Sequence, residues 1–328
     1  MHNSVLSLPG LDEATALDSL AKEFEHDLED LSRDAERDLC GRRFVFSRYG
    51  RELYPYFEES AADLVPGCII PVKEGRPVAS VDSTCVLLGE TSRGALYASR
   101  AAVGVSSEGS LRRFFRLGPV LVYVSEAGAS GLGASLSREE LALALSDHAV
   151  AERVVRNTIE ARVVEALMKA EGEMVVMADG SLKHPASLLS ARLPSGRSRL
   201  VGFSKSSSLI FSEDAVCVLS RCAKPSFYPV EDGAVRTFLA KFSADGLVFR
   251  LDVSPGEETA EVVLGRLLWN DAFSSGYPDS LKVAHHLSVF SRADCQALRA
   301  MVARRFRLRQ LPTFPLRAIA LGSFKGGA

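Results

Sequence analysis

The amino-acid sequence predicts an α/β protein in which a mixed β-sheet is flanked by helices and preceded by a helical N-terminal extension. Three consecutive apolar segments with short connections indicate an antiparallel meander. A long helix and a buried strand follow the meander, and the second half of the chain mixes strands with helices without an internal repeat. We therefore expect two parts, the helical extension over residues 1–60 and one α/β domain over residues 61–328.

Within the extension, residues 11–40 have the apolar spacing of an amphipathic helix with a strongly acidic outer face. Two interpretations stay open: the helix lies on the core of the protein, or it serves dimerisation or partner binding. The apolar positions, at three- and four-residue steps, are Leu17, Leu20, Phe24, Leu28 and Leu31.

The predicted meander has strands over residues 78–88, 95–107 and 118–126, each rich in apolar and β-branched residues. A Gly- and Ser-rich loop follows over residues 127–137. The segment 110–118 falls between two of these strands, so we expect it at a hairpin tip.

A helix begins after the loop, because Ser137 and Glu140 form the S-x-x-E pattern of a capping box. Helical periodicity runs to about Lys169, and residues 146–148 leave room for a break. The segment "EMVVMADG" then predicts a short buried strand that ends at Asp179-Gly180. A helix that leads into such a strand is typical of a crossover connection.

The second half of the chain predicts a strand, a hairpin and three helices. The strand covers 198–205, the hairpin pairs 234–242 with 247–253, and the helices cover 258–271, 278–290 and 292–306.

The composition is that of a globular protein, with 47% apolar and 24% charged residues. The net charge of −2 excludes a general positive field, so nucleic-acid binding would need basic residues focused in a patch or channel. The six cysteines form no CxxC pair, which favours reduced thiols in a cytosol over a zinc site. Because no apolar run of about 18 residues and no signal peptide is recognisable, we expect a cytoplasmic protein without a membrane span.

Acidic residues interrupt the apolar elements at positions that point to one site. Asp82 stands in the middle of the first meander strand, Asp179 ends the later buried strand, and the helix between them offers Glu152, Glu160 and Glu165. A meander, a helix and a strand in this order form a ribonuclease H-like core, in which the strand of Asp179 can run parallel beside that of Asp82. Converging carboxylates repel one another unless divalent cations hold them, and oxygen ligands suit Mg²⁺ or Mn²⁺.

Each of these residues also has a simpler interpretation. Asp82 would be a buried carboxylate bonded to backbone, Asp179-Gly180 a turn, and Glu160 part of a solvated helix face. His285 would be a core histidine, and Tyr277 a packing aromatic at a helix entrance.

The candidate residues lie in five short segments between residue 78 and about residue 303: "VASVDST" with Asp82, "RNTIEARVVEAL" with Arg156 and Glu160, "VVMADGSL" with Asp179, "LVGFSKSS" with Lys205, and "GYPDSLKVAHHLSVF" with Tyr277 and His285. With these segments, the sequence resembles the NurA family of nucleases. The most specific segment is the last, with Tyr-Pro followed by Leu and Ala-His.

The resemblance implies a ribonuclease H-like fold and a homodimer around a central channel. It implies a manganese-dependent nuclease that degrades DNA from 5′ ends, cuts single strands, and acts in DNA end resection during double-strand break repair. The implied partner is the hexameric ATPase translocase HerA. No Walker A pattern occurs in the sequence, so we expect any motor to be a separate protein.

The same resemblance assigns roles to six residues. Asp82, Glu160, Asp179 and His285 would bind Mn²⁺ or Mg²⁺; Tyr277 would orient substrate or water; Lys205 would contact a phosphate.

Two features of the motifs leave questions open. The first motif of the family usually reads Asp-Gly-Ser, whereas this chain has Asp82-Ser83-Thr84, which keeps the acidic ligand and changes the backbone beside it. The helix offers a second acidic candidate, Glu165, although Glu160 follows Arg156 as the family pattern does.

Three basic clusters are candidates for holding single-stranded DNA or duplex ends, or are solvated faces. They are Arg112, Arg113 and Arg116 with Phe114 and Phe115; Arg197, Arg199 and Lys205; and Arg304, Arg305, Arg307 and Arg309.

Two other functions stay open beside the nuclease. The chain would be a non-catalytic DNA-binding subunit of an ATPase translocase complex, or another ribonuclease H-like enzyme such as a resolvase.

Overall fold

The structure is a computed structural model that describes residues 43–49, 52–58, 65–130, 136–170, 173–183, 198–205, 213–231 and 233–308. The chain divides into two compact units, one of residues 1–64 with 209–218 and one of residues 65–208 with 219–328. The helix predicted over residues 11–40 lies outside the described residues.

In the first unit, strands β1 (Arg43–Tyr49) and β2 (Glu52–Glu58) form a two-stranded antiparallel sheet. The prediction of a helical extension over residues 1–60 is therefore wrong for these two segments. Their aromatic and β-branched residues favour pairing of extended strands over a helix. The boundary between residues 60 and 61 stays a prediction.

The second unit is built on a mixed sheet of ten strands in the order β3-β10-β11-β12-β9-β8-β4-β5-β6-β7, and a short hairpin, β13-β14, lies outside it. The strands are β3 (Gly67–Cys68), β4 (Val78–Thr91), β5 (Gly94–Ser107), β6 (Ser110–Ser125), β7 (Gly128–Ser130), β8 (Val175–Asp179), β9 (Arg199–Ser204), β10 (Ser226–Glu231), β11 (Arg236–Lys241), β12 (Phe249–Val253), β13 (Phe273–Ser274) and β14 (Tyr277–Pro278).

Strands β4, β5 and β6 form the predicted antiparallel meander. The third strand begins at Ser110, so the basic segment 110–118 is part of β6 and the prediction of a hairpin tip is wrong. The turn lies earlier, at Glu108 and Gly109, whose φ angles of 52° and 69° are both positive. Two such residues make the type I′ turn that matches the twist of paired strands.

Strand β8 runs parallel to β4, and β9 runs parallel to β8. The central strand order β6-β5-β4-β8-β9 therefore joins a meander to two parallel strands, with a long helix in the connection from the meander to β8. This order and these directions are the ribonuclease H-like arrangement that the sequence predicts. The fold is thus a mixed sheet flanked by helices.

The helices predicted between residues 137 and 306 are present, including the break near residue 147. Asp147 ends one helix and caps the next, because its side chain accepts hydrogen bonds from Ala149 N and Val150 N. The helices of the described residues are α1 (Arg138–Ser146), α2 (His148–Lys169), α3 (Glu213–Ser220), α4 (Ala260–Asn270), α5 (Asp279–Ser288) and α6 (Arg292–Arg305).

Helices α2 and α5 cover opposite faces of the central strands. Ala161 of α2 belongs to an apolar cluster with Val81 and Val176, while Leu281 of α5 packs in a cluster with Val78. Helix α5 approaches strand β5 closely, since a Cβ on Gly104 would lie 2.5 Å from the carbonyl oxygen of Ser280. Both helices are thereby fixed at the strands that carry the acidic residues.

Among the described helices, none combines the length and apolar character that crossing a membrane requires.

Candidate active site

Asp82 and Asp179 occupy corresponding positions on neighbouring parallel strands. The register of β4 and β8 pairs Val81 with Ala178, so the next residue on each strand is an aspartate. Strand β8 ends at Asp179, and Gly180 turns the chain away with a φ of +112°, which favours glycine. The two carboxylates therefore lie at one place on the sheet, as the sequence predicts.

Helix α5 places two polar side chains on Asp82, which is only 5% exposed. Nδ1 of His285 lies 2.8 Å from Oδ2 of Asp82, and the Ser288 hydroxyl donates to the same oxygen at 3.1 Å. The two residues are three apart, so both face the strand from one side of the helix. His285 thus lies beside the carboxylate rather than in a distant apolar core.

Helix α2 brings Glu160 to the same strand, where its Oε2 accepts a 2.7 Å hydrogen bond from Ser83. The pKa of Glu160 is raised to about 8, chiefly by burial and also by the negative charges of Asp82 and Asp179, while the hydrogen bond from Ser83 and the charge of Arg156 act in the opposite direction. We refer to Asp82, Glu160 and Asp179 as the carboxylate edge.

The structure distinguishes Glu160 from the other candidate on the same helix. Glu165 forms an ion pair with Lys169 at 2.7 Å on a partly exposed side of α2. Glu160 is 7% exposed and is close enough to both aspartates to be affected by their charges. Glu160 is therefore the glutamate of the carboxylate edge.

Lys205 and Tyr277 flank Asp179. The Lys205 ammonium lies 2.8 Å from Oδ2 of Asp179 and 5.4 Å from the centre of the Tyr277 ring. The Tyr277 ring packs edge-on against Phe203 at 5.3 Å. Its hydroxyl is buried without a hydrogen-bond partner among the described residues, and burial together with the charges of Asp179 and Asp82 raises its pKa.

Two residues that support the site, Ser83 and Asp252, are not among the predicted site residues. Asp252 is fully buried on β12 and holds the segment after Asp179, because its Oδ2 accepts from the Ser181 hydroxyl at 2.5 Å and from Leu182 N at 3.0 Å. An aspartate inside an apolar strand is the signal that identified Asp82, and it was available for Asp252 as well.

The implied divalent cation fits this site in its chemistry. Within the described residues, no group of three or more His, Cys, Asp or Glu side chains is arranged so that it could hold a metal ion. In the observed arrangement each carboxylate accepts from a protein donor, namely His285, Ser83 or Lys205. The donor set of carboxylates and imidazole nevertheless suits Mn²⁺ or Mg²⁺. A cation would favour the ionised form of Glu160, whose pKa is raised by burial and, to a smaller extent, by the charges of Asp82 and Asp179.

The residues of the predicted basic clusters differ in their exposure to solvent. Arg112, Arg113 and Arg116 are exposed on β6, and Arg304, Arg305 and Arg307 are exposed at the end of the chain that the structure describes. Arg197 and Arg309 lie outside the described residues.

Arg199 does not fit the predicted contact with DNA. It is only 4% exposed, and its guanidinium donates to the carbonyl oxygen of Glu258 at 3.0 Å. Burial lowers its pKa. Since its position at the start of β9 directs it inside, Arg199 supports the fold.

No protein-family model and no curated protein matches this chain. The chain is similar to the crystal structure of the NurA nuclease from Sulfolobus solfataricus, with 13% identity and a TM-score of 0.46 over 92% of this chain and 100% of that chain. It is also similar to NurA bound to dAMP and manganese, with 11% identity and a TM-score of 0.46 over 92% and 98% of the two chains.

A third similar structure is Endonuclease V from Bacillus subtilis, with 13% identity and a TM-score of 0.36 over 73% of this chain and 86% of that chain. NurA nucleases, the family that the motifs resemble, are thus among the similar solved structures. The fold assignment rests on the order and directions of the strands.

Proposed function

We propose that this protein is a metal-dependent DNA nuclease. The observation that carries the proposal is the carboxylate edge: three elements distant in sequence bring Asp82, Glu160 and Asp179 together, with His285 on Asp82. Asp82 and Glu160 are buried and Asp179 is partly exposed. Carboxylates in such proximity without an equal number of cationic partners are costly in a protein that only has to fold. They are useful where a divalent cation binds.

Asp82, Glu160, Asp179 and His285 would hold Mn²⁺ or Mg²⁺. When bound, such an ion supplies Lewis acidity for phosphodiester hydrolysis and neutralises phosphate charge. Ser83 orients Glu160, and Ser288 orients Asp82, through the hydrogen bonds that they donate.

Lys205 and Tyr277 have roles on the substrate side. Lys205 is more exposed than the carboxylates, so its ammonium can leave Asp179 and contact a phosphate of the DNA. The Tyr277 hydroxyl is protonated at neutral pH, since burial and the nearby carboxylates raise a pKa that is ordinarily 10, so this group can donate a hydrogen bond to substrate or water. Both residues therefore position the reacting groups.

The finer parts of the proposal are supported by the motif resemblance. They are 5′-to-3′ exonuclease and single-strand endonuclease activity, a role in DNA end resection with a HerA-type hexameric ATPase, a homodimer and manganese as the preferred ion. A cytoplasmic location is proposed separately, because the cysteine pattern favours reduced thiols. The exposed arginines of β6 are available for backbone phosphates, and Phe114 and Phe115, which are 60% and 49% exposed, for stacking on bases.

The test compares purified wild type with Asp179→Ala on 5′- and 3′-labelled DNA, in Mn²⁺, in Mg²⁺ and in EDTA. We expect cleavage that requires the metal and is absent in the variant, whose circular dichroism matches the wild type. The label retained on the products gives the polarity. No cleavage by the wild type with either ion, even with an ATPase partner added, would favour the non-catalytic subunit instead.

A further inference from the structure

A cavity of about 350 Å³ lies between strand β4 and the first turns of helix α2. It adjoins the carboxylate edge, because Ser83 lines the cavity and also donates its hydroxyl hydrogen bond to Glu160. The lining residues are Ser83, Thr84, Cys85, Ala149, Glu152, Arg153 and Arg156.

The cavity has an excess of positive charge. Arg153 and Arg156 are exposed, and neither forms an ion pair with an acidic side chain in the part of the chain that the structure describes. The acidic residue of the lining, Glu152, uses one oxygen to accept from Leu87 N at 2.8 Å. Burial, followed by the charge of Glu152, raises the pKa of the Cys85 thiol to about 12, so this group adds no charge near neutral pH.

Helical spacing connects the two arginines to the carboxylate edge. Arg153, Arg156 and Glu160 are three and four residues apart, so they follow one another along one face of α2. The charge of Arg156 reaches Glu160, whose pKa it lowers, while the arginine itself stays on the side of the cavity. A bound group in the cavity would therefore lie next to the reacting groups.

We propose that this cavity binds a phosphate of the nucleic-acid strand adjacent to the phosphate that is cleaved, with Arg153 and Arg156 as its ligands. The inference rests on the proposed nuclease function and assigns one contact of its substrate. The guanidinium group suits this task, because its planar set of donors matches phosphate oxygens in pairs. The cavity volume leaves room for the attached sugar.

A binding measurement without cleavage tests the proposal. A single-stranded oligothymidylate is titrated in EDTA with wild type, Arg153→Gln, Arg156→Gln and the double variant, at several salt concentrations. Arg138→Gln is the matched control, since Arg138 is exposed on α1 and outside the cavity. We expect each cavity variant to weaken binding about ten-fold and to lower the salt slope by about one, with no change in the control.

A scan along the strand locates the contact. Single phosphates are replaced by neutral methylphosphonates, and wild type should lose about ten-fold in affinity at one position. For the double variant, a methylphosphonate at that position should not change the affinity, and its effects at the other positions should equal those for the wild type. Cleavage mapping should show that this position lies beside the phosphate that is cut. Circular dichroism and thermal midpoints check folding, and the single variants serve if the double variant is unstable.

The outcomes separate this inference from the proposed function. Equal sensitivity of wild type and double variant at every position would overturn the phosphate contact, also where the wild type cleaves DNA normally. If the wild type shows the arginine-dependent position but cleaves no DNA in Mn²⁺ or Mg²⁺, the proposed phosphate contact is supported and the proposed nuclease function is excluded. Absence of wild-type binding in EDTA would overturn the phosphate contact, whereas cleavage in Mn²⁺ or Mg²⁺ decides on the nuclease.

Discussion

Two groups of residues at the same sheet contain buried carboxylates that are stabilised differently: one surrounds Asp252 of β12, and the other is the carboxylate edge, to which helix α2 contributes Glu160. Asp252 is fully buried, and its two oxygens accept hydrogen bonds from several donors, including Thr237 at 2.9 Å and Arg250 at 3.1 Å. At the carboxylate edge, Asp82 and Glu160 are almost as buried, but the charges around Glu160 include two further carboxylates. The first group supports the fold, whereas the second keeps repulsion that a cation would relieve.

The largest difference between the two groups should appear in activity. Asp82→Asn keeps the shape of the side chain and the hydrogen bonds around it but removes one anionic ligand. We expect cleavage in Mn²⁺ to fall by about a thousand-fold or more, because metal binding contributes several kcal/mol to such reactions. Single-turnover cleavage of labelled DNA measures this loss. The thermal midpoint in EDTA should not decrease, and a marked decrease would assign Asp82 to the structural group.

The reverse result is expected for the structural group. Asp252→Ala leaves the Arg250 guanidinium and the hydroxyls of Thr237 and Ser181 without their acceptor. Removing one partner of a buried charged network costs about 3–5 kcal/mol. Urea denaturation followed by circular dichroism measures the free energy of unfolding, and an unchanged value would contradict the division into two groups.

Most of the carboxylate edge could be predicted because its aspartates interrupt apolar strands, and an apolar strand makes a polar residue conspicuous. Asp82 and Asp179 were found in this way, and their pairing followed from the order of the elements. Ser83 gave no such signal, since its role depends on a contact with Glu160 across 77 residues of sequence. Contacts of that kind are set by packing and not by local pattern.

The extent of β6 shows a second limit of structure prediction from the sequence. Its basic segment lacks the alternation of a half-buried strand, because both of its faces are exposed from Ser110 to Val120. The start of the strand is determined by the turn, where the non-glycine residue Glu108 adopts a positive φ of 52°. Glycine and asparagine are the residues that usually indicate a positive φ angle in a sequence, and a glutamate does not.

The burial of Glu160 and its repulsion by the two aspartates should be visible in the pH dependence of stability. The pKa of Glu160 is about 8 in the folded protein against an ordinary value of 4.5, so the folded protein holds a proton that the unfolded chain releases between these values. Stability of the metal-free protein should therefore fall as pH rises toward about 8.

Glu160→Gln removes this titration. In EDTA, the variant and the wild type should have similar thermal midpoints near pH 5, and the variant should become more stable by roughly a few kcal/mol as pH approaches 8. Differential scanning calorimetry at stepped pH measures the difference. Saturating Mn²⁺ should reduce it, because the ion binds the ionised form of the wild type. A difference that stays constant with pH would show that Glu160 is ionised throughout.

The smallest effect is expected at the other glutamate of helix α2. Glu165 forms its ion pair with Lys169 four residues on, where side chains are 38% and 73% exposed. Such pairs contribute about 0.3–0.5 kcal/mol, so Glu165→Gln should leave stability nearly unchanged and should not acquire the pH dependence of Glu160→Gln. Cleavage should also remain, since the charge of Glu165 is not among those that affect the carboxylate edge. If Glu165→Gln instead abolished metal-dependent cleavage while Glu160→Gln retained it, helix α2 would have to present its other face to the metal. The hydrogen bond between Ser83 and Glu160 would then serve only the stability of the fold.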